Sequence, residues 1–364
     1  MPYMIPKFKL KLGGLWVKAV VSIKVNLSRR QPVDTAEIKL PFHAEFDLDV
    51  FREQGAAVGS EVVVKLGYTE PEPSLVFTGV ITKVSTDQPL VIKCEDHGHE
   101  LKKARVTKTY SERNIYGPLG IPETWHSAIA HHLIGSAGLT PVVPVYGVES
   151  EGDFLRKTFN VDKQTVGQVL DKFRETGWDW FVIPGTRRCY FGPGWPFAQG
   201  ILPQKTRHVF TFGKAYQHAM TLEHLDHLPN IISSDLAFAP AKKVGKVVVY
   251  ATDRDFQGLA VKGEYGEGEP VLEFDMDGST DGNTQTAVNA RAWQLYQQYT
   301  SHGLTQGFKA IGAPEISHSQ SVKVSDPAHG ERSDNYWIDE VEHEYGPEAG
   351  FVTQITLAER EESG

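Results

Sequence analysis

Cysteine is nearly absent from this chain. Of 364 residues only Cys94 and Cys189 carry a thiol, each inside an apolar, strand-like run. Two such thiols make no disulfide framework, so buried free thiols are expected, in a chain made in reducing cytosol. Long apolar runs are missing as well: no segment approaches the roughly 18 consecutive apolar residues of a spanning helix. The opening stretch, MPYMIPKFKLKLGGLWVKAVVSIKV, lacks the uninterrupted apolar region and small-residue cleavage site of a signal peptide, and two early prolines break it. There is no dense Lys/Arg block. With 37 basic against 46 acidic residues the net charge is −9, and phosphate backbones are gripped by clustered cations, so a DNA-binding role is disfavoured. The signatures of a serine-hydrolase elbow, a phosphate-binding loop and a dinucleotide fold are all absent.

What is present is strand. From Phe8 to about Val106, segments such as GLWVKAVVSIKVNLS, GSEVVVKLGY, FTGVITKV and PLVIKCE alternate or run β-rich between Gly, Pro, Asn and Asp turns. Five or more short strands without a long helix predict a small antiparallel barrel or sandwich. Near Tyr110 the texture changes, and SERNIYGPLGIPE predicts a domain boundary. A helix follows with Trp125, Ile129, His132 and Leu133 on one face and Thr124 as its N-cap. A second helix places Val166, Val169, Leu170 and Phe173 at helical spacing, with Asp162 expected as cap and Gly177 as terminator. DWFVI and RRCYFG then form a hairpin turned at Pro184-Gly185, so this middle unit reads as α+β. Strands return over residues 207–250. An acidic, loop-rich stretch leads to one more helix, whose Val288, Ala292, Leu295, Tyr296 and Tyr299 share a face, and strands resume from Leu304. The hairpins Phe77 to Leu101 and Tyr336 to Arg360 echo each other in shape, as two related barrels would.

Three stretches invite a reading as sites. In DHGHE, Asp96 to Glu100, a strand would put His97 and His99 on one face as metal ligands; the plainer reading is a polar strand end at a barrel rim. HAMTLEHLDHL offers His218, Glu223, His224 and His227, but its two closest histidines are not four apart with an adjoining glutamate, unlike HExxH. DMDGSTDGN, Asp275 to Asn283, resembles a calcium loop, yet counting from Asp277 puts Val288 where a bidentate glutamate belongs; a turn followed by an Asn283 or Thr284 cap explains it more simply. No catalytic, cofactor-binding or metal residue is assigned, and no cofactor is expected. Carboxylate pairs of the glycosidase kind are defined by separation in space, which sequence does not give.

The order of the features says more than any one motif. Gly59 to Tyr68 followed by Phe77 to Val84, the helix with Trp178 to Tyr190 after it, and YWIDEVEHEYGPEAGFVTQITL near the end together resemble the baseplate hub proteins of contractile phage tails. That is the Mu-like tail hub and late-control-protein group, related to the N-terminal part of type VI secretion spike proteins. The resemblance implies an α+β, mainly β chain with two similar antiparallel, tube-type β-barrel domains, at 1–108 and at 206–250 with 304–361. An α+β outer domain would fill 109–205, and a loop-and-helix insertion at 251–303 would pack with it. It implies a homotrimer whose two barrels per chain make a pseudo-sixfold ring joining the tail tube to the central spike. Partners would be the spike, the tail tube protein and other baseplate proteins. The place would be the virion, after assembly in the host cytoplasm, without membrane insertion or enzymatic activity. DNA would pass through an acidic lumen without specific binding, with which −9 agrees. Since the chain ends at Gly364 after AEREESG, the spike is expected as a separate polypeptide. The alternatives are a tail-associated cell-wall hydrolase using carboxylates or His224 and His227, and a carbohydrate-binding adhesin with exposed aromatic platforms.

Overall fold

The run KFKLKL alternates lysine with apolar side chains, and a strand's period of two sends Leu10 and Leu12 into a core and the lysines to the opposite face. The computed structural model describes residues 5–41, 57–70, 72–85, 89–111, 113–116, 118–119, 121–122, 126–143, 158–174, 178–193, 208–212, 231–239, 244–252, 260–276, 285–300, 303–326 and 333–360. It opens with β1 (Pro6–Leu12), β2 (Leu15–Val17), β3 (Ser22–Ser28), β4 (Thr35–Leu40), β5 (Glu61–Tyr68), β6 (Ser74–Val84) and β7 (Leu90–Asp96). All pair antiparallel, in the spatial order β3-β4-β7-β6-β5-β1-β2. Phe77, Gly79 and Ile81 turn inward against Thr78 and Val80. Beyond them the alternation breaks. Ile81 faces Cys94 and Lys83 faces Lys93, so Thr82 is a bulged residue, its hydroxyl donating to the Lys93 carbonyl at 3.1 Å, and Lys83 turns outward.

From Asp96 the chain enters a second unit. It comprises α1 (Gly98–Lys103), β8 (Arg105–Ser111), β9 (Ile115–Tyr116), β10 (Ile121–Pro122), α2 (His126–Ser136), β11 (Thr140–Val142), β12 (Thr158–Thr165), α3 (Val166–Arg174), β13 (Trp178–Val182) and β14 (Arg188–Pro193). Its own core gathers Leu101, Tyr110, Leu133, Leu170 and Trp180. β8 pairs with β12, and β14 lies between β13 and a parallel β11. The β13–β14 turn has Gly185 at φ 72°, in the left-handed region that favours glycine. Ile129 and Leu133 are buried, as are Val166, Val169, Leu170 and Phe173. The cap of α3 differs from expectation. Asp162 lies within β12, and Thr165 caps the helix: Gln168 N–H donates to Thr165 Oγ1 at 3.3 Å while Thr165 N–H donates to Gln168 Oε1 at 2.9 Å. Thr124, Trp125 and Gly177 lie outside the described residues.

The remainder holds β15 (Val209–Thr211), β16 (Ile231–Ser234), β17 (Ala237–Ala239), β18 (Lys246–Thr252), β19 (Ala260–Gly266), β20 (Val271–Met276), α4 (Gln285–Thr300), β21 (Gly303–Thr305), β22 (Gly307–Ile311), β23 (Ser321–Ser325), β24 (Asp334–Gly346) and β25 (Gly350–Arg360). β18 sits between antiparallel β19 and parallel β20, and Val247 and Val249 pack beneath Val288, Ala292 and Leu295 of α4. Tyr296 and Tyr299 lie on that same buried side. The final strands rejoin the first ones. β24 pairs with β3, which extends the large sheet to β16-β22-β25-β24-β3-β4-β7-β6-β5-β1-β2, with β23 and then β15 attached at β24. The two echoing hairpins, β6–β7 and β24–β25, therefore flank the central β3–β4 pair. One core serves both ends of the chain: Ile23, Val64 and Phe77 meet the cluster of Phe308, Tyr336 and Ile355. Cys94 and Cys189 are buried free thiols, and burial pushes the Cys94 pKa up to about 12. Among the described residues no helix is long and apolar enough to cross a membrane.

Gly79 marks the tightest strand contact within the first seven strands. A Cβ at that position would stand 2.1 Å from the Glu95 carbonyl oxygen and 2.8 Å from the Asp96 Cα. Gly79→Ala is expected to cost about 2 kcal/mol or more, because backbone has to move to admit the methyl group; a thermal melt matching the parent's would contradict this.

Candidate functional site

The polar connection SRRQPVD, between β3 and β4, is where the large sheet, the second unit and the C-terminal strands meet. Ser28 N–H donates to Asp34 Oδ1 at 2.8 Å, closing the connection on itself. Asp96 N–H donates to the Asp34 carbonyl at 3.0 Å, and Gly98 N–H to Asp96 Oδ1 at 2.9 Å. Only glycine fits at position 98, since a Cβ would stand 2.6 Å from the Pro32 carbonyl oxygen. Asp34 and Asp96 are both buried. Burial, and next the nearby Asp34, raise the Asp96 carboxyl well above the usual carboxylate range.

His318 reaches this point from the connection between β22 and β23. Its Nε2 stands 3.7 Å from Asp34 Oδ2, and its Nδ1 is 2.9 Å from Ser319 Oγ. The 3.7 Å between Nε2 and Asp34 Oδ2 is longer than a hydrogen bond, and both atoms are buried without another hydrogen-bond partner among the described residues. Phe181 of β13 presses edge-on against the imidazole, with centroids 4.9 Å apart at 90°. A second buried histidine holds the same connection in place. His343 Nε2–H donates to the Ile316 carbonyl (3.1 Å) and Nδ1 accepts from Thr353 Oγ1 (3.0 Å), which itself accepts from Ala313 N–H (2.9 Å). Burial lowers the His343 pKa to about 4.

Charged pairs complete the junction. Asp179 of β13 accepts from Arg29 Nε and, at 3.2 Å, from Arg174 Nε. Arg174 also donates to three carbonyls, those of Arg29 (3.2 Å), Arg30 (3.1 Å) and Trp180 (2.5 Å). Towards the C-terminal strands, Ser28 Oγ donates to Glu340 at 2.8 Å and Arg30 pairs with Asp339 at 2.5 Å. One seven-residue connection is thus tied to β13, α3, β24 and the His318 segment. The charges are engaged with one another, an arrangement suited to coupling structural units.

No protein-family description and no curated protein matches the sequence. Solved structures do. A tail protein from Neisseria meningitidis MC58 superposes with a TM-score of 0.61 at 13% identity, over 98% of this chain and 96% of that one. The 43 kDa tail protein of prophage MuSo2 from Shewanella oneidensis gives 0.61 at 12% identity, over 97% and 98%. The fold is that of phage tail proteins. An Escherichia coli component of the type VI secretion system, described as structurally similar to the T4 bacteriophage tail proteins gp27 and gp5, gives 0.51 at 11% identity, over 97% of this chain and 77% of that one.

Within this tail-protein fold the DHGHE stretch is a corner. β7 ends at Asp96 and α1 starts at Gly98, so His97 and His99 do not share a strand face, contrary to the metal reading of the sequence. His97 lies 3.5 Å from Glu100 and 3.4 Å from Arg187, whereas His99 Nδ1 sits 3.2 Å from the Asp96 carbonyl. Burial, then the Arg187 charge, lowers the His97 pKa. Glu100 accepts from Arg187 at 2.8 and 2.9 Å, pinning α1 to the β13–β14 hairpin. Among the described residues no three His, Cys, Asp or Glu side chains converge on a metal position. His218, Glu223, His224 and His227 lie outside the described residues, as do 277–284 of the calcium-like stretch; Asp275 and Met276 end β20. Asp34, His318, His343 and Asp179 were not singled out by sequence. The available signal was His343 at an inward position of WIDEVEHEY, in phase with Val341.

Two outcomes follow from the junction. Asp179→Ala leaves Arg29 and Arg174 without their shared carboxylate and is expected to cost about 3 kcal/mol; limited proteolysis should then release the second unit sooner, and an unchanged cleavage pattern would count against the coupling. His343 stays neutral in the folded chain down to about pH 4, whereas in the unfolded chain it titrates at its ordinary 6.5. The unfolded state therefore binds the proton first, and about 3 kcal/mol of stability should drain away as pH falls from 6.5 to 4. Denaturant titrations across that range should show a flatter profile for His343→Gln.

Proposed function

We propose that the chain is a structural hub of a contractile phage-tail baseplate, joining the tail tube to the central spike as a trimeric ring of pseudo-sixfold symmetry. The observation that carries this reading is the likeness to two phage tail proteins, which spans nearly the whole of this chain and of both of theirs. The sheet supports it. Two similar hairpins flank its centre, as a chain supplying two modules to a ring would have them, and among the described residues its outermost strands, β2 and β16, each pair on one side only, leaving backbone donors and acceptors for a neighbour. Those edges carry apolar side chains in water: Trp16 is 59% exposed and Ile232 58%. Head-to-tail contact between such edges closes a ring when the rotation allows it. In this role the chain lets DNA pass, contacts the spike, the tube protein and other baseplate proteins, resides in the virion after assembly in the host cytoplasm, and catalyses nothing.

Solution mass tests the reading. A stable species near three times the 40.5 kDa chain is expected by light scattering or native mass spectrometry. A monomer whose cell-wall cleavage disappears on mutation of Glu223 or His224 would replace the hub with a hydrolase.

A further inference from the structure

The polar face of the large sheet carries its charge unevenly. On β1, Lys7, Lys9 and Lys11 stand opposite the core, and Lys65 of β5 pairs across from Lys9. Farther along, a hollow of about 600 Å³ opens over β4, β6 and β7, lined by Lys39, Lys83, Lys93, Glu37 and Ser85 among others. Glu37 lies 3.4 Å from Lys39 and 3.8 Å from Lys93, so one carboxylate serves two ammonium groups. Lys83 adds a third cation, brought there by the bulge at Thr82. Of the glutamates Glu37, Glu61 and Glu95 on these strand faces, Glu95 is engaged by Lys102 at 3.3 Å; Glu72, in the loop before β6, is engaged by Lys9. Among the described residues, seven lysines against these four glutamates leave three positive charges on one face of a chain whose total is −9. The acids of the same sheet gather on β24, at Glu340, Glu342 and Glu344.

We propose that this lysine face holds the phosphate backbone of double-stranded DNA without reading its sequence. Lysines two apart on a strand stand about 7 Å from each other, and neighbouring strands lie about 5 Å apart, so the face is a regular array of point charges suited to a polymer of regular charge. Among the described residues that line the hollow there is no arginine, the usual reader of base edges, and lysine to phosphate positions a duplex without specifying it. An acidic protein surface is the less favoured occupant, because lysine is depleted from protein–protein interface cores and the described lining of the hollow holds no aromatic anchor. The proposal goes beyond the hub reading, in which DNA only passes.

The test is fluorescence anisotropy of the full chain with short random-sequence DNA duplexes across a salt series. Binding is expected to be independent of sequence and to weaken steeply with salt. The triple variant Lys39→Gln, Lys83→Gln, Lys93→Gln should weaken it about tenfold and lower the logarithmic salt slope by about 3. Glu37→Gln should tighten it, a gain that no folding defect imitates, while Lys103→Gln on α1 should change little. Absence of binding at low salt, parent-like binding by the triple variant, or tighter binding of polyglutamate than of DNA would each overturn the proposal. Mass measured on the same samples separates the two readings: a trimer that ignores DNA removes only this proposal, and a monomer that binds it removes only the hub.

Discussion

Six backbone pairings between β3 and β24, running from Ile23–Tyr345 to Ser28–Glu340, hold the two ends of this chain in one sheet. They join strands some 300 residues apart, so the entropy of closing a very long loop is repaid only by the whole sheet and its shared core. The pairing decides what else is near. It sets Lys24 2.8 Å from Glu342, it puts His343 beside Val25, and it makes the β3–β4 connection a neighbour of Asp339 and Glu340. Without it the first seven strands and the last four would be separate half-cores, each exposing the apolar surface that the other now covers.

The same pairing explains why the junction is polar. Three units converge on SRRQPVD, and a short connection cannot satisfy its backbone with ladder bonds. Side chains supply them: Asp34 takes the Ser28 amide, and Arg174 takes three carbonyls. Buried polar groups are tolerable when partnered, as Arg29 and Asp179 are; Asp34 and His318 meet only at 3.7 Å, beyond a hydrogen bond. Each pair spans a boundary, which makes the relative placement of the units depend on directional contacts more than on apolar burial.

The proposed hub role would need a sheet that is rigid and still presents different surfaces to different neighbours. Here the core side of the sheet is continuous while the polar side changes sign, from lysine over β1, β4, β6 and β7 to glutamate over β24. Net charge, an average over the chain, hides this division. The small unit of β18 to β20 with α4 has a separate core and leaves the large sheet's topology undisturbed.

Local pattern determined a good deal. Period-two runs placed the strands, the i, i+3, i+4 spacing placed Val166 to Phe173 and the buried face of α4, and the order of the pieces carried the resemblance to tail proteins. These signals are local because side-chain direction along a strand or helix is set by neighbours in sequence. The α3 cap was also legible, as Thr165 and Gln168 in TVGQ, but Asp162 competed for it and only the register of β12 decided between them. What tertiary structure alone decided is everything that rests on distance in space. Lysines scattered from position 7 to position 93 form one face only after β1, β5, β6, β7 and β4 line up, and the bulge that aims Lys83 has no sequence mark of its own. Likewise Asp34, His318 and Asp179 come from three remote segments, and no spacing along the chain foretells their meeting, because long-range strand pairing and not local propensity brings them together.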